Sequence, residues 1–97
     1  MKATFLIKLL SETSKPEMIK LLLKALFTNK EIKELENRIK IFQLLLKGKK
    51  QREISEILNV GIATVTRGAS ALENEDIFKV NSEIIQMLKT NKIDLND

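Results

Sequence analysis

The sequence contains no cysteine, histidine, tryptophan or tyrosine, and one proline in 97 residues. Without thiols or imidazoles there is no disulfide framework, and no zinc or iron site built from those ligands. Covalent or general acid–base chemistry would fall to Ser, Thr, Lys, Asp or Glu. The chain is therefore expected to bind rather than catalyse, with no catalytic residue and no metal. Long apolar runs are also missing. Leu44-Leu45-Leu46 is far too short to span a bilayer, and Lys8 interrupts the N-terminal apolar stretch. Neither a membrane span nor a signal peptide is expected, and the expected compartment is cytoplasmic.

What is present describes a folded, basic protein. Hydrophobic residues make up 43% and charged residues 31%, which excludes a disordered tail or a fibrous repeat. The net charge of +4 is unevenly spread. Residues 1–54 carry thirteen Lys and Arg against six Asp and Glu, whereas residues 55–97 carry four against seven. The basic excess ends in Lys47-Gly48-Lys49-Lys50-Gln51-Arg52. A localised cluster of this kind suits a phosphate-binding surface, and by charge alone it also suits a solvated lysine-rich helix face.

No strand-like alternation of useful length is found, and the apolar spacing is helical throughout. Phe5, Leu6, Leu9 and Leu10 predict a short first helix. Ser14-Lys15-Pro16-Glu17 predicts a second, with Ser14 as N-cap and Pro16 in the first turn. Thr28-Asn29-Lys30-Glu31 repeats the capping signal and opens the longest helix, to about Lys47. Its buried stripe is expected at Ile32, Leu35, Ile39, Phe42 and Leu46. Gly48 should stop it by taking the left-handed conformation. Two short helices are expected around 51–58 and 62–72. A last one is expected to start at Asn74-Glu75-Asp76, with Ile77, Val80, Ile84 and Leu88 inward and fraying from Thr90. The chain reads as a single helical domain, 1–97.

Residues 51–67 fit a helix-turn-helix. Two short helices crossing steeply need a small residue at their approach, which is Ser55, and a turn residue tolerant of positive φ, which is Asn59. Ile54, Leu58, Val60 and Val65 stand at the offsets that would lock the pair. The second helix would present Gly61, Ile62, Ala63, Thr64 and Thr66 at its outer end. These small residues and threonines allow close approach to a groove, touch thymine methyls and bond phosphates. Lys49, Lys50 and Gln51 would flank it, and Arg52 is the candidate for a bidentate contact to guanine. An ordinary helical hairpin in a bundle is the alternative. Gly68 departs from the pattern, since a large apolar residue would be expected there. Two readings stand: a void reserved for a ligand, or a close helix crossing that needs a small residue.

Arg38-Ile39-Lys40-Ile41, Gln51-Arg52-Glu53-Ile54 and especially Gly61-Ile62-Ala63-Thr64-Val65-Thr66-Arg67-Gly68 resemble the tryptophan operon repressor family over about residues 28–72. The resemblance implies an all-α, intertwined homodimer that binds a double-stranded, palindromic operator when L-tryptophan fills a pocket beside the recognition helix. It implies that Arg38 and Arg67 sandwich the indole and meet the carboxylate. Gly68 would lie against the ring, Thr28 near the pocket, and the carbonyls of Ala25 and Phe27 would receive the ammonium. It places Arg52, Ile62, Ala63, Thr64 and Thr66 on DNA.

Arg38 itself falls between Leu35 and Phe42 of the expected inward stripe, where a charge needs a partner. A ligand carboxylate could supply it, and so could Glu31 or Glu34 one turn away. The loop between Gly48 and Gln51 is one residue shorter than in the well-known repressors and resembles shorter relatives. Ala71 stands where the family has a serine that helps orient the ligand. Glu73 replaces a basic residue, removing a phosphate contact. The expected function is sequence-specific transcriptional repression with tryptophan or a related small molecule as corepressor. The alternatives are a ligand-independent helix-turn-helix regulator and a helical protein–protein adaptor.

Overall fold

A computed structural model of the chain describes residues 1–74, 82–93 and 95. Among them are six helices and no strand: α1 (Thr4–Glu12), α2 (Pro16–Leu26), α3 (Asn29–Leu46), α4 (Gln51–Leu58), α5 (Ile62–Asn74) and α6 (Ser82–Thr90). The all-α fold class agrees with the helical spacing of the sequence. The chain divides into two compact units, residues 1–34 and 35–97.

Helix boundaries follow local chemistry. The Thr28 N–H donates to Glu31 Oε1 at 2.9 Å, and the Glu31 N–H donates back to Thr28 Oγ1 at 3.1 Å. This reciprocal capping box fixes the start of α3. Hydrogen bonding to the carboxylate, from the Thr28 backbone N–H first and the Thr28 side chain second, holds the exposed Glu31 carboxyl below its ordinary pKa. At the other end, Gly48 adopts φ +87°. The Lys49 N–H then reaches the Leu44 carbonyl and the Gly48 N–H reaches that of Leu45, both at 3.0 Å. That is a Schellman ending, and it turns the chain towards α4.

One expectation needs correction at a helix start. Ser14 does not cap α2. Pro16 occupies the first helical position, so the flanking residue is Lys15, extended at φ −82° and ψ 127° with no side-chain cap. A residue before proline is driven to that region by the pyrrolidine ring. Asn74 belongs to the end of α5, and Glu75 and Asp76, where the last helix is also expected to start, lie outside the described residues. Of the residues expected inward on the final helix, Ile84 and Leu88 are half-buried, while Ile77 and Val80 lie outside the described residues.

In unit 1, α1 and α2 bury no residue. Phe5, Ile7, Leu10, Met18, Leu21 and Leu26 are all exposed. An open apolar groove of about 500 Å³ is lined by Pro16, Ile19, Leu23 and Ile32, with Lys20, Lys24 and Asn29 at its edge.

Unit 2 holds the core: Ile41, Leu44, Ile54 and Val65, joined by the partly buried Leu45, Leu58, Val60 and Ile93. The stripe expected on α3 is therefore displaced. Leu35 and Ile39 remain 45% and 43% exposed, and Phe42 and Leu46 are half-buried. Ile41 and Leu44, on the opposite side of the helix, face the core. At 3.6 residues per turn the two sets point roughly 180° apart. An α3 apolar on two opposite sides has no single inward direction for periodicity to find.

Candidate nucleic-acid interface

The short loop after Gly48 leaves Lys49 and Lys50 exposed. The Lys50 N–H donates to Glu53 Oε1 at 3.2 Å, closing the first turn of α4. Arg52 follows, exposed on α4, with Gln51 half-buried beside it.

The turn between α4 and α5 is built as the residue types require. Asn59 sits in the left-handed region at φ 54° and ψ 49°, a conformation an asparagine reaches at lower cost than most L-residues. The Val60 N–H closes back to the Ser55 carbonyl at 3.2 Å. The Ser55 hydroxyl donates to the Val60 carbonyl at 2.6 Å. Ser55 thus does more than keep the crossing small: it ties the turn to α4. Below the turn, Ile54 and Val65 are fully buried against each other's helices, with Leu58 and Val60 packed around them. All four residues expected to lock the pair do so.

With its inner face fixed, α5 directs the other residues outward. Gly61, Ile62, Ala63, Thr66 and Arg67 are exposed and Thr64 is half-buried, with Ile62 at 51% exposure. The Gly61 carbonyl accepts from the N–H groups of Thr64 and Val65, at 3.0 and 3.4 Å. An added Cβ at Gly61 would meet nothing within 4 Å, so the glycine keeps this surface low rather than relieving a clash. Sequence reading missed one contact here. Thr66 Oγ1 lies 2.8 Å from Gln51 Oε1 and 2.9 Å from the Ile62 carbonyl, joining the first residue of α4 to the first turn of α5 on the exposed side. The Lys49–Arg52 segment and the start of α5 belong to one unit.

The residues expected around a ligand are distributed as follows. Arg38 and Gly68 meet: the Arg38 Cδ lies 3.5 Å from where a Gly68 Cβ would stand. Of the two readings of Gly68, the close crossing is the one met, because the Ile41 Cγ2 lies only 2.7 Å from that same point. The glycine is required by the close crossing of α3 and α5. Arg38 is half-buried and Arg67 exposed; neither has a hydrogen bond or ion pair among the described residues. The Glu31 carboxylate is occupied by Thr28. In unit 1, Ala25 lies in the last turn of α2 and Phe27 just beyond it, where helix carbonyls lack intrahelical partners. None of these six residues lines the apolar groove of unit 1.

A packed pair of short helices, an αL turn, a locked inner face and a low, exposed N-terminal end of the second helix define a helix-turn-helix protein. The chain belongs to the Trp repressor family: the family model described as "Trp repressor protein" matches residues 2–80, well beyond the 28–72 stretch carried by the sequence motifs. Similar proteins are the Trp operon repressor homolog of Xylella fastidiosa (strain M23), 38% identical over 74% of this chain and 79% of its own, and that of Vibrio vulnificus (strain YJ016), 45% identical over 63% and 64%. The Photobacterium profundum homolog is 37% identical over 71% of this chain and 68% of its own. No solved structure matches significantly. The family is one of transcriptional repressors, not enzymes. Among the described residues, no helix is long and apolar enough to cross a membrane.

Proposed function

We propose that this protein is a sequence-specific DNA-binding repressor that acts as a homodimer on a palindromic operator. The observation that carries this reading is the exposed first turn of α5, held by Ile54 and Val65 and flanked by Lys49, Lys50 and Arg52. The turn admits Ile62, Ala63, Thr64 and Thr66 to a major groove, the lysines meet phosphates, and Arg52 reads a guanine. Two such units would meet half-sites about 34 Å apart.

A second copy of the chain accounts for the surplus apolar surface. No residue before Lys40 is buried, and α3 keeps Leu35 and Ile39 open on the side away from its own core. An apolar set of this extent is characteristic of an obligate interface.

The corepressor is L-tryptophan or a related small molecule, held by Arg38, Arg67, Thr28 and Gly68 with the carbonyls of Ala25 and Phe27. Two guanidiniums without partners among the described residues suit a carboxylate and an aromatic ring. One observation favours a second reading, a regulator without a ligand: the Ile41 contact explains Gly68 with no ligand present.

The test is selection from a pool of random duplexes, with and without tryptophan, followed by titration of the selected and a random duplex between about 50 and 200 mM salt. Selective, steeply salt-dependent binding strengthened by tryptophan is expected. Equal affinity for both duplexes overturns the repressor reading, and selective binding indifferent to tryptophan overturns the corepressor alone.

A further inference from the structure

Gln43 is one of two polar residues buried in the described part of the chain, at 6% exposure. Its two hydrogen-bond partners lie outside the helix-turn-helix. Its Nε2 lies 3.2 Å from the Leu88 carbonyl and 3.3 Å from that of Asn91. Both partners are carbonyls, so only the NH2 end of the amide can face them, and each of its two hydrogens has an acceptor. The Leu88 carbonyl is in the last turn of α6, where no intrahelical donor reaches it. Its neighbours are satisfied locally: the Thr90 hydroxyl donates to the Gln86 carbonyl at 2.8 Å, and Asn91 donates to Met87 through its side chain at 2.7 Å. The Leu88 and Asn91 carbonyls are met by a side chain 45 and 48 residues away in sequence.

The segment held in this way has a destination. Two residues beyond Asn91, Ile93 packs against the cluster of Ile41, Leu44, Ile54 and Val65. Ile54 and Val65 are the side chains that set α4 and α5 against each other. The amide of Gln43 therefore holds the segment that follows α6 at the point where Ile93 packs on the core of the helix-turn-helix.

We infer that Gln43 is a positioning residue for the recognition helix, holding the α6–Ile93 segment as a strap that braces α5 from below. The inference takes its DNA readout from the proposed repressor function, while its structural readout is independent of it. Gln43→Leu keeps the bulk and removes both donors, taking from the Leu88 and Asn91 carbonyls the partner that ties them to α3. The strap then spends most of its time undocked, and affinity falls in proportion to the braced fraction. Phosphate contacts from Lys49 and Lys50 are untouched by this change.

The experiment compares the full-length wild type, Gln43→Leu, Ile93→Ala and the double variant, with Met87→Ala as control because Met87 is 64% exposed on α6. Amide exchange is followed at residues 88–93 and along α5, and affinity is measured for the selected and the random duplex. Gln43→Leu should speed exchange in both segments. It should weaken the selected duplex about tenfold, leaving the salt slope and random-duplex affinity unchanged. Ile93→Ala, a milder change that spares the buried amide, should do the same. The double variant should be no worse than the worse single one, since both act through one strap. Faster exchange at 88–93 with α5 exchange unaltered overturns the inference, and so do additive losses. If the wild type selects no duplex, the repressor reading fails and the exchange data alone decide the strap.

Discussion

Gly68→Ala tests the α3–α5 crossing directly, because two effects of opposite sign compete at one atom. Alanine in a helix interior is favoured over glycine by about 1 kcal/mol. Here the new Cβ would stand 2.7 Å from the Ile41 Cγ2. Ile41 is fully buried, and that methyl is a branch at Cβ with no rotation available that keeps the packing. The helices must part by several tenths of an ångström. Overpacking of this kind costs about 1–3 kcal/mol, so it outweighs the propensity gain. We expect a net loss of about 1 kcal/mol, which for a domain of this size lowers Tm by about 4–8 °C at fixed protein concentration. Ile41→Leu removes the offending branch and keeps the volume. Alone it should cost under about 1.5 kcal/mol; beside Gly68→Ala it should recover most of the loss, giving a favourable coupling of about 1 kcal/mol. Thermal unfolding of the four proteins measures the cycle. A raised Tm for Gly68→Ala, or an additive cycle, would refute the close-crossing account of Gly68. Gly68→Leu should unfold the crossing outright, so it is no clean probe of a ligand site.

Acid should weaken the start of α3. The Glu31 pKa is lowered in the folded state, so the stabilising contact is complete above the unfolded value and is lost as pH falls through the folded one; the stability gap between wild type and Glu31→Gln should be constant at neutral pH and close in strongly acidic buffer, as followed by chemical denaturation. Asn59→Val should destabilise by about 1–2 kcal/mol because of the left-handed turn, whereas Asn59→Gly should be nearly neutral. Arg52→Ala should cost about 1–3 kcal/mol at one base position of the selected duplex, and Lys49→Ala should weaken all sequences alike. Identical losses on selected and scrambled duplex for Arg52→Ala would remove it from base reading.

The elements legible in the sequence are those whose causes are local. Thr28 and Glu31 are three residues apart and cap each other; Gly48 and Asn59 each supply one backbone conformation; Ser55 and Val60 close one turn. The locking residues Ile54, Leu58, Val60 and Val65 were readable for a related reason, since a helix-turn-helix fixes their spacing within fifteen residues. The outward residues of the candidate interface followed from them. What escaped depends on distant partners. The Gln43 contact with α6 leaves no local trace, because glutamine on a helix is equally at home in solvent. The crossing at Gly68 could be read as a void or a contact until the position of Ile41 was known. Ser14 was misplaced by one residue, because Pro16 takes the first helical position and so makes Lys15 the flanking residue.

The displaced stripe on α3 carries the most information about how the molecule works. Periodicity selects the most regular apolar set, which here is Leu35, Ile39, Phe42 and Leu46, yet Ile41 and Leu44 do the packing within unit 2. A helix with both sides apolar must be covered on both. One side is used to seat α4 and α5 through Ile54 and Val65. The other, with the exposed residues of α1 and α2, is left for a second copy in the proposed dimer. The same helix would then set two things at once: the angle of the recognition helix on its own unit and the distance between the two recognition helices. A palindromic operator constrains both quantities. Changes at Leu35 or Ile39 should therefore alter the spacing and strength of dimeric binding, whereas changes at Ile41 should alter α5 itself, although the two sets stand on one helix a few residues apart.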